Sequence, residues 1–153
     1  MANLKKPTSR RQDRSWAALP DGATVLVDTA PWIYLLQDHP AFAPKFEGLF
    51  AAAEEGRVEL ALTTITLAEV LVGPYKAGEV ALAKRFEKAL CSYVVMPLSE
   101  AIATQAAQLR AQYALKLPDA VQLATALDMG AAALVTHDRD FSAVTGLPIL
   151  YGA

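Results

Sequence analysis

Apolar positions fall into two patterns along this chain. Five short runs are almost continuously apolar and rich in branched residues: TVLVD (24–28), VELALT (58–63), YVVMPL (93–98), AALVT (132–136) and LPILY (147–151). Runs of this length and uniformity suit strands buried on both faces. Longer stretches between them predict helices: TAPWIYLLQ (29–37), KFEGLFAAAEEG (45–56), ITLAEVLVG (65–73), GEVALAKRFEKAL (78–90), EAIATQAAQLRAQYAL (100–115) and KLPDAVQLATALDMG (116–130). Ile102, Ala106, Leu109 and Tyr113 share one helical face, and Ser99 is placed to cap that helix. Gly56 and Gly130 read as helix stops, and Gly73-Pro74 reads as a break ending the third helix.

Strands alternating with helices predict an α/β fold with a mainly parallel sheet covered on both faces. Residues 1–22 are polar, lack periodicity and end in the turn signal LPDG, so they read as a flexible basic N-terminal arm ahead of one domain, 23–153. The arm carries Lys5, Lys6, Arg10, Arg11 and Arg14 against Asp13 and Asp21, a net of +3 that leaves the remainder near −5. It either keeps the protein soluble or contacts RNA or a partner. An acidic body is not the footprint of an ordinary nucleic-acid binder.

Cys91 is the only cysteine, which excludes an intramolecular disulfide and points to a reducing cytoplasm. With only His39 and His137 beside it, a zinc site of soft ligands is also disfavoured. No apolar run approaches the ~20 residues of a membrane span. The chain has no G-x-S-x-G, no Gly-rich phosphate loop and no Cys–His pair at a motif spacing.

Acids stand where they need explaining. Asp28 ends the first strand, and Asp138 follows the fourth, with Asp140 two residues on. Asp119 opens an apolar helix, and Glu69 lies inside another. Each has an ordinary reading by itself. Asp28 suits an N-cap, Asp119 a favourable place in the helix dipole, Glu69 an exposed stripe, and Asp138 and Asp140 a polar turn. His137 reads as a solvated residue of that turn. Taken together, a parallel sheet gathers such positions at its carboxyl edge, where ligands bind. Clustered carboxylates repel unless a cation holds them, and Mg²⁺ or Mn²⁺ suits oxygen ligands. Metal-bound carboxylates serve phosphoryl hydrolysis, and metal would turn an acidic cleft into a phosphate acceptor. Lys84, Arg85, Lys88 and Arg110 would then guide an RNA backbone from the rim.

VLVDTAPWIYLL, ITLAEVLVGPYKAG, LKLPDAVQLATAL and LVTHDRDF resemble, in order and spacing, the segments of PIN-domain ribonucleases, and most of all the VapC-type toxins of bacterial toxin–antitoxin pairs. The resemblance runs from about Thr24 to Tyr151. It implies a three-layer α/β/α sandwich and a catalytic, metal-holding quartet of Asp28, Glu69, Asp119 and Asp138, with Glu69 touching metal directly or through water. Thr136 matches the family's hydroxyl residue two positions before the last acid, and Asp140 a further, auxiliary acid. It also implies hydrolysis of RNA to 5′-phosphate and 3′-hydroxyl ends, a homodimer and a small antitoxin partner. His137 stands where Asn is usual, and the basic arm lies outside the family core. Two other readings compete: a catalytically silent PIN fold that binds RNA or protein, and a phosphatase on another α/β fold. The phosphatase signature needs two acids flanking one residue after the first strand, and VDTAP supplies one.

Overall fold

The computed structural model of the protein describes residues 16–152. The basic residues of the expected arm lie outside the described residues. Five strands form one sheet: β1 (Ala23–Val27), β2 (Val58–Thr63), β3 (Val94–Met96), β4 (Ala133–Thr136) and β5 (Ile149–Tyr151). Six helices connect them: α1 (Thr29–Leu36), α2 (Glu47–Glu54), α3 (Thr64–Lys76), α4 (Val80–Leu90), α5 (Glu100–Tyr113) and α6 (Leu117–Asp128). The strand order is β3-β2-β1-β4-β5 and every pairing is parallel. The chain therefore reverses its direction of travel at β1, between β2 and β4. That is a topological switch point, and its carboxyl side is where open α/β sheets bind ligands.

Side-chain alternation along the strands separates two cores. Val25, Val27, Leu60, Leu62 and Val135 pack with Trp32, Phe46 and Leu49 from the α1–α2 side. Leu26, Ala61 and Leu134 pack with Ile102, Ala106, Leu123 and Ala124 of α5 and α6 on the other. The result is the expected α/β/α sandwich with three layers. Small alanines let α5 and α6 sit close, while the indole N–H of buried Trp32 donates to the Val27 carbonyl over 3.1 Å.

Three sequence expectations change. The third helix does not end at Gly73-Pro74 but runs on to Lys76. A proline inside a helix loses one backbone bond and crowds the preceding turn; here Pro74 is buried, and its packing offsets that cost. The stop comes at Gly78, whose φ of +73° permits the Gly78 N–H to reach the Tyr75 carbonyl and the Glu79 N–H to reach that of Pro74. The edge strands β3 and β5 are also shorter than their apolar runs, each bounded by a proline (Pro97, Pro148) that cannot donate to a ladder. Finally, residues 16–22, grouped with the arm for want of periodicity, pack on the domain. Trp16 and Leu19 are buried, and the Arg57 guanidinium donates to both of their carbonyls. A three-residue 3-10 turn has no period to read, so its anchor is visible only in three dimensions.

Candidate active site

Because β1 and β4 are parallel neighbours, the residues just past them meet at one edge. Asp28 continues β1 and donates its N–H to the Val135 carbonyl of β4 over 2.8 Å. Its carboxylate is buried and accepts three hydrogen bonds. Oδ1 takes the Thr29 N–H at 2.8 Å and the Gln122 side-chain amide at 2.9 Å, and Oδ2 takes the Thr136 hydroxyl at 2.8 Å. Capping α1 and sitting in the cleft are thus the same position. Thr136 also accepts the Asp138 N–H at 2.9 Å, so one hydroxyl registers both strand-end acids. Asp138 in turn caps the following 3-10 turn through the Asp140 N–H at 2.9 Å.

Asp119, in the first turn of α6, meets this edge. One carboxylate oxygen from each of Asp119, Asp138 and Asp140 lies within 4.8 Å of the other two. The pKa of Asp119 is pushed up to about 6, first by burial, then by the charges of Asp28, Asp138 and Asp140, against a smaller opposing effect of Lys116. Glu69 stands apart from that group. It is exposed on α3, and its Oε1 accepts the Thr29 hydroxyl at 3.2 Å. Partial desolvation raises its pKa, helped by the charge of Asp28 and opposed by the Thr29 bond. The four acids of the expected quartet are therefore at one edge, but the tight group joins Asp119 and Asp138 to Asp140, ranked as auxiliary in the sequence, and includes neither Asp28 nor Glu69.

The donor set suits a hard divalent cation. The clustered ligands are all carboxylate oxygens, with no sulfur or imidazole among them. Among the described residues the ion pair formed is Arg57–Asp21, so no basic side chain pairs directly with the cluster, and Lys116 offsets its charge only in part. Burial first and the neighbouring carboxylates next raise the pKa of Asp119, and a cation at Asp119, Asp138 and Asp140 with Asp28 beside them would relieve the repulsive part.

Sequence reasoning missed the support behind these acids. Gln122, three residues after Asp119 on α6, is buried. Its amide nitrogen donates to Asp28 and, at 2.7 Å, to Thr66 Oγ1, while its oxygen accepts the Thr63 hydroxyl at 2.8 Å. Thr66 contacts Thr29 Oγ1 at 2.9 Å, and Thr29 reaches Glu69. A polar thread therefore joins Asp28 to Glu69 through three side chains. Its signal in the sequence was a lone glutamine in an apolar helix, as odd there as Glu69 in its own.

Lys84, Arg85 and Lys88 are exposed on α4, and Arg110 on α5, none in a hydrogen bond or ion pair with the acids. The basic groups whose charges reach the site are others: Lys116 acts on Asp119, and Lys45 and Arg139 act on His137. His137 is not merely solvated. Its Nδ1 pairs with the Tyr34 hydroxyl at 2.8 Å, and its pKa is lowered by burial first and by those two cations next. A cavity of about 790 Å³ opens beside β5, lined by Leu19, Phe141, Leu147, Ile149 and Arg139, and includes none of the acids.

The family profile for the PIN domain matches residues 25–147. A solved toxin–antitoxin complex from Klebsiella pneumoniae contains a chain 31% identical, with 80% of this chain and 94% of that one aligned at a TM-score of 0.66. VapBC2 from Rickettsia felis, solved bound to a DNA fragment from its promoter, aligns over 85% and 99% at TM-score 0.69 and 18% identity. VapC20 of Mycobacterium tuberculosis, a Sarcin-Ricin loop cleaving toxin, aligns over 80% and 95% at 0.66 and 19%. The latter two likenesses concern the fold. No curated protein matches the chain in sequence. No described helix is long and apolar enough to cross a membrane.

Proposed function

The chain belongs to the PIN-domain family, and from that premise we propose that it is a divalent-metal-dependent endoribonuclease of the VapC type, the toxin of a toxin–antitoxin pair. The observation that carries this reading is the convergence of Asp119, Asp138 and Asp140 within 4.8 Å beside a braced Asp28. Asp28, Asp119 and Asp138, with Asp140, would hold Mg²⁺ or Mn²⁺. Bound there, the cation supplies neutralisation of phosphate charge and acidification of water. A binding module that never cuts would be free to lose these carboxylates.

The chain's own residues do the rest. Thr136 sets the spacing between Asp28 and Asp138, and Gln122 fixes the direction of the Asp28 carboxylate. Glu69 holds the Thr29 hydroxyl on Oε1, and its other oxygen takes the proton of the attacking water; partial desolvation raises its pKa, which makes the carboxylate a stronger base. Attack on phosphorus breaks its bond to the 3′ oxygen. The products carry a 5′-phosphate and a 3′-hydroxyl. Lys116, Lys45 and Arg139 are the first candidates to guide the backbone, and the exposed Lys84, Arg85, Lys88 and Arg110 extend the path outward. A small antitoxin completes the reading, supported by the toxin–antitoxin complexes among the neighbours, and a homodimer and a cytoplasmic setting go with it as the family resemblance implies.

End-group analysis of cleaved RNA tests the chemistry. Water attack leaves fragments whose 5′ ends ligate directly to a 3′-hydroxyl adaptor. Cyclic 2′,3′-phosphates would instead show attack by the RNA's own hydroxyl, and the carboxylate mechanism would be wrong.

A further inference from the structure

Next to the acids lies a cluster of rings that the hydrolytic machinery does not use. The loop after α1 brings His39 and Phe42 back onto Tyr34 of α1 and onto His137, the residue before Asp138. His39 stacks on Phe42 with centroids 4.7 Å apart and planes 24° from parallel. Phe42 lies 4.9 Å from Tyr34 and 4.8 Å from His137, and Tyr34 lies 5.4 Å from His137. Buried Phe46 backs the group, 6.2 Å from Tyr34 and 6.1 Å from His137. Phe46 is fully buried, yet Tyr34, His39, Phe42 and His137 are each only half-buried. Two cations attend the cluster. Lys45 Nζ sits 5.9 Å over the Phe42 ring, and Arg139 follows Asp138 in the chain, its guanidinium 4.1 Å over Tyr151.

We propose that Tyr34, His39, Phe42 and His137 form a stacking platform for an unpaired nucleobase next to the scissile phosphate, with Lys45 and Arg139 receiving the adjoining phosphates. This rests on the phosphodiesterase reading above, and it specifies the substrate as single-stranded at the cut. Three features favour RNA over an apolar protein segment. His39 and Phe42 form a stacked, partly exposed pair that a planar base can extend, while Tyr34 and His137 meet the pair at steeper angles; two of the rings are imidazoles and one bears a hydroxyl; and positive charge flanks them beside an otherwise acidic edge. A base in a duplex has both faces covered and cannot enter such a stack. Each base stacked on an aromatic side chain is tied to a loss of about 5- to 150-fold when the ring is removed.

The test measures binding of a fluorescent single-stranded RNA, and of the same RNA annealed to its complement, by the full chain carrying Glu69→Gln to suppress cutting while keeping the metal, with Mg²⁺ present. Adding Phe42→Leu keeps the apolar volume and removes the ring. The platform predicts about tenfold weaker binding of the single strand, no change for the duplex, and recovery in Phe42→Tyr. Lys45→Gln should flatten the salt dependence by roughly one phosphate's worth, about 0.7 in log–log slope. Unfolding temperatures of the variants separate misfolding from lost stacking. Unchanged single-strand affinity in a folded Phe42→Leu overturns the platform and reassigns the rings to a protein contact or to the core, leaving the nuclease reading intact. Failure of the Glu69→Gln chain to bind either RNA overturns both.

Discussion

Asp28 is held by Gln122 across the layers of the sandwich: an amide on α6 donates over 2.9 Å to a carboxylate at the end of β1. The same amide nitrogen reaches Thr66 on α3, so one side chain ties the α6 layer to the opposite one at the carboxyl edge of the sheet. Groups that orient metal ligands from behind are worth about 10- to 100-fold in metal affinity. Gln122→Met should therefore weaken Mn²⁺ binding at least tenfold by calorimetry. Thr125→Val is the control, because Thr125 is equally buried on α6 but bonds only to its own helix at Val121. Equal affinities in the two variants would reduce Gln122 to packing.

Asp28 and Asp119 should respond oppositely to the same substitution. In Asp28→Asn an amide replaces an oxygen that accepts a donor, within a network where Thr136 already accepts the Asp138 N–H. One buried donor loses its acceptor, at a cost of about 1–3 kcal/mol. Denaturant unfolding would show it as a lower midpoint with an unchanged slope.

Asp119 behaves otherwise because its folded pKa, about 6, lies above its unfolded value. A raised carboxylate pKa adds stability that is fully present below pH ~4 and is lost as pH rises through 6. Without metal, Asp119→Asn should be more stable than the parent at pH 7.5, and that advantage should disappear at pH 4. Asp119 is only partly buried, so screening reduces the gain to roughly 1 kcal/mol. A variant less stable than the parent at pH 7.5 would make the carboxylate a structural group.

Divalent cation should raise the unfolding temperature, and more so at pH 7.5 than at pH 5, where protons compete for Asp119. Mn²⁺ titrations followed by differential scanning fluorimetry at both pH values check this. An equal rise at both would place the ion elsewhere.

Glu69 lies outside the tight group and is exposed, so its loss should separate chemistry from metal binding. Glu69→Gln is expected to keep Mn²⁺ affinity within a few-fold while lowering kcat by ~10²–10⁴, the range of general-base catalysis. Asp138→Asn should lose both. A tenfold or greater loss of metal in Glu69→Gln would make it a ligand.

How much of this was legible follows from range along the chain. Asp28 and Asp138 could be placed because continuous apolar runs identify strands, and parallel strands put their ends on one edge. Asp140 could not be ranked above Glu69, because spacing within a turn says nothing about where a side chain aims. Gln122 was hidden for a related reason: one polar residue in a helix creates no period, and its partners lie 94 and 56 residues away. Tyr34 and His137 are 103 residues apart, and nothing local announces their pairing. The helix running through Gly73-Pro74 shows tertiary packing overriding a strong local stop.

The most direct test of the account is cleavage of mixed total RNA by the purified full chain, with Mn²⁺ or Mg²⁺ and with EDTA, run beside Asp119→Asn. The account predicts cutting that needs the metal and disappears in the variant. Cutting that persists in EDTA, or equally in Asp119→Asn, would contradict it.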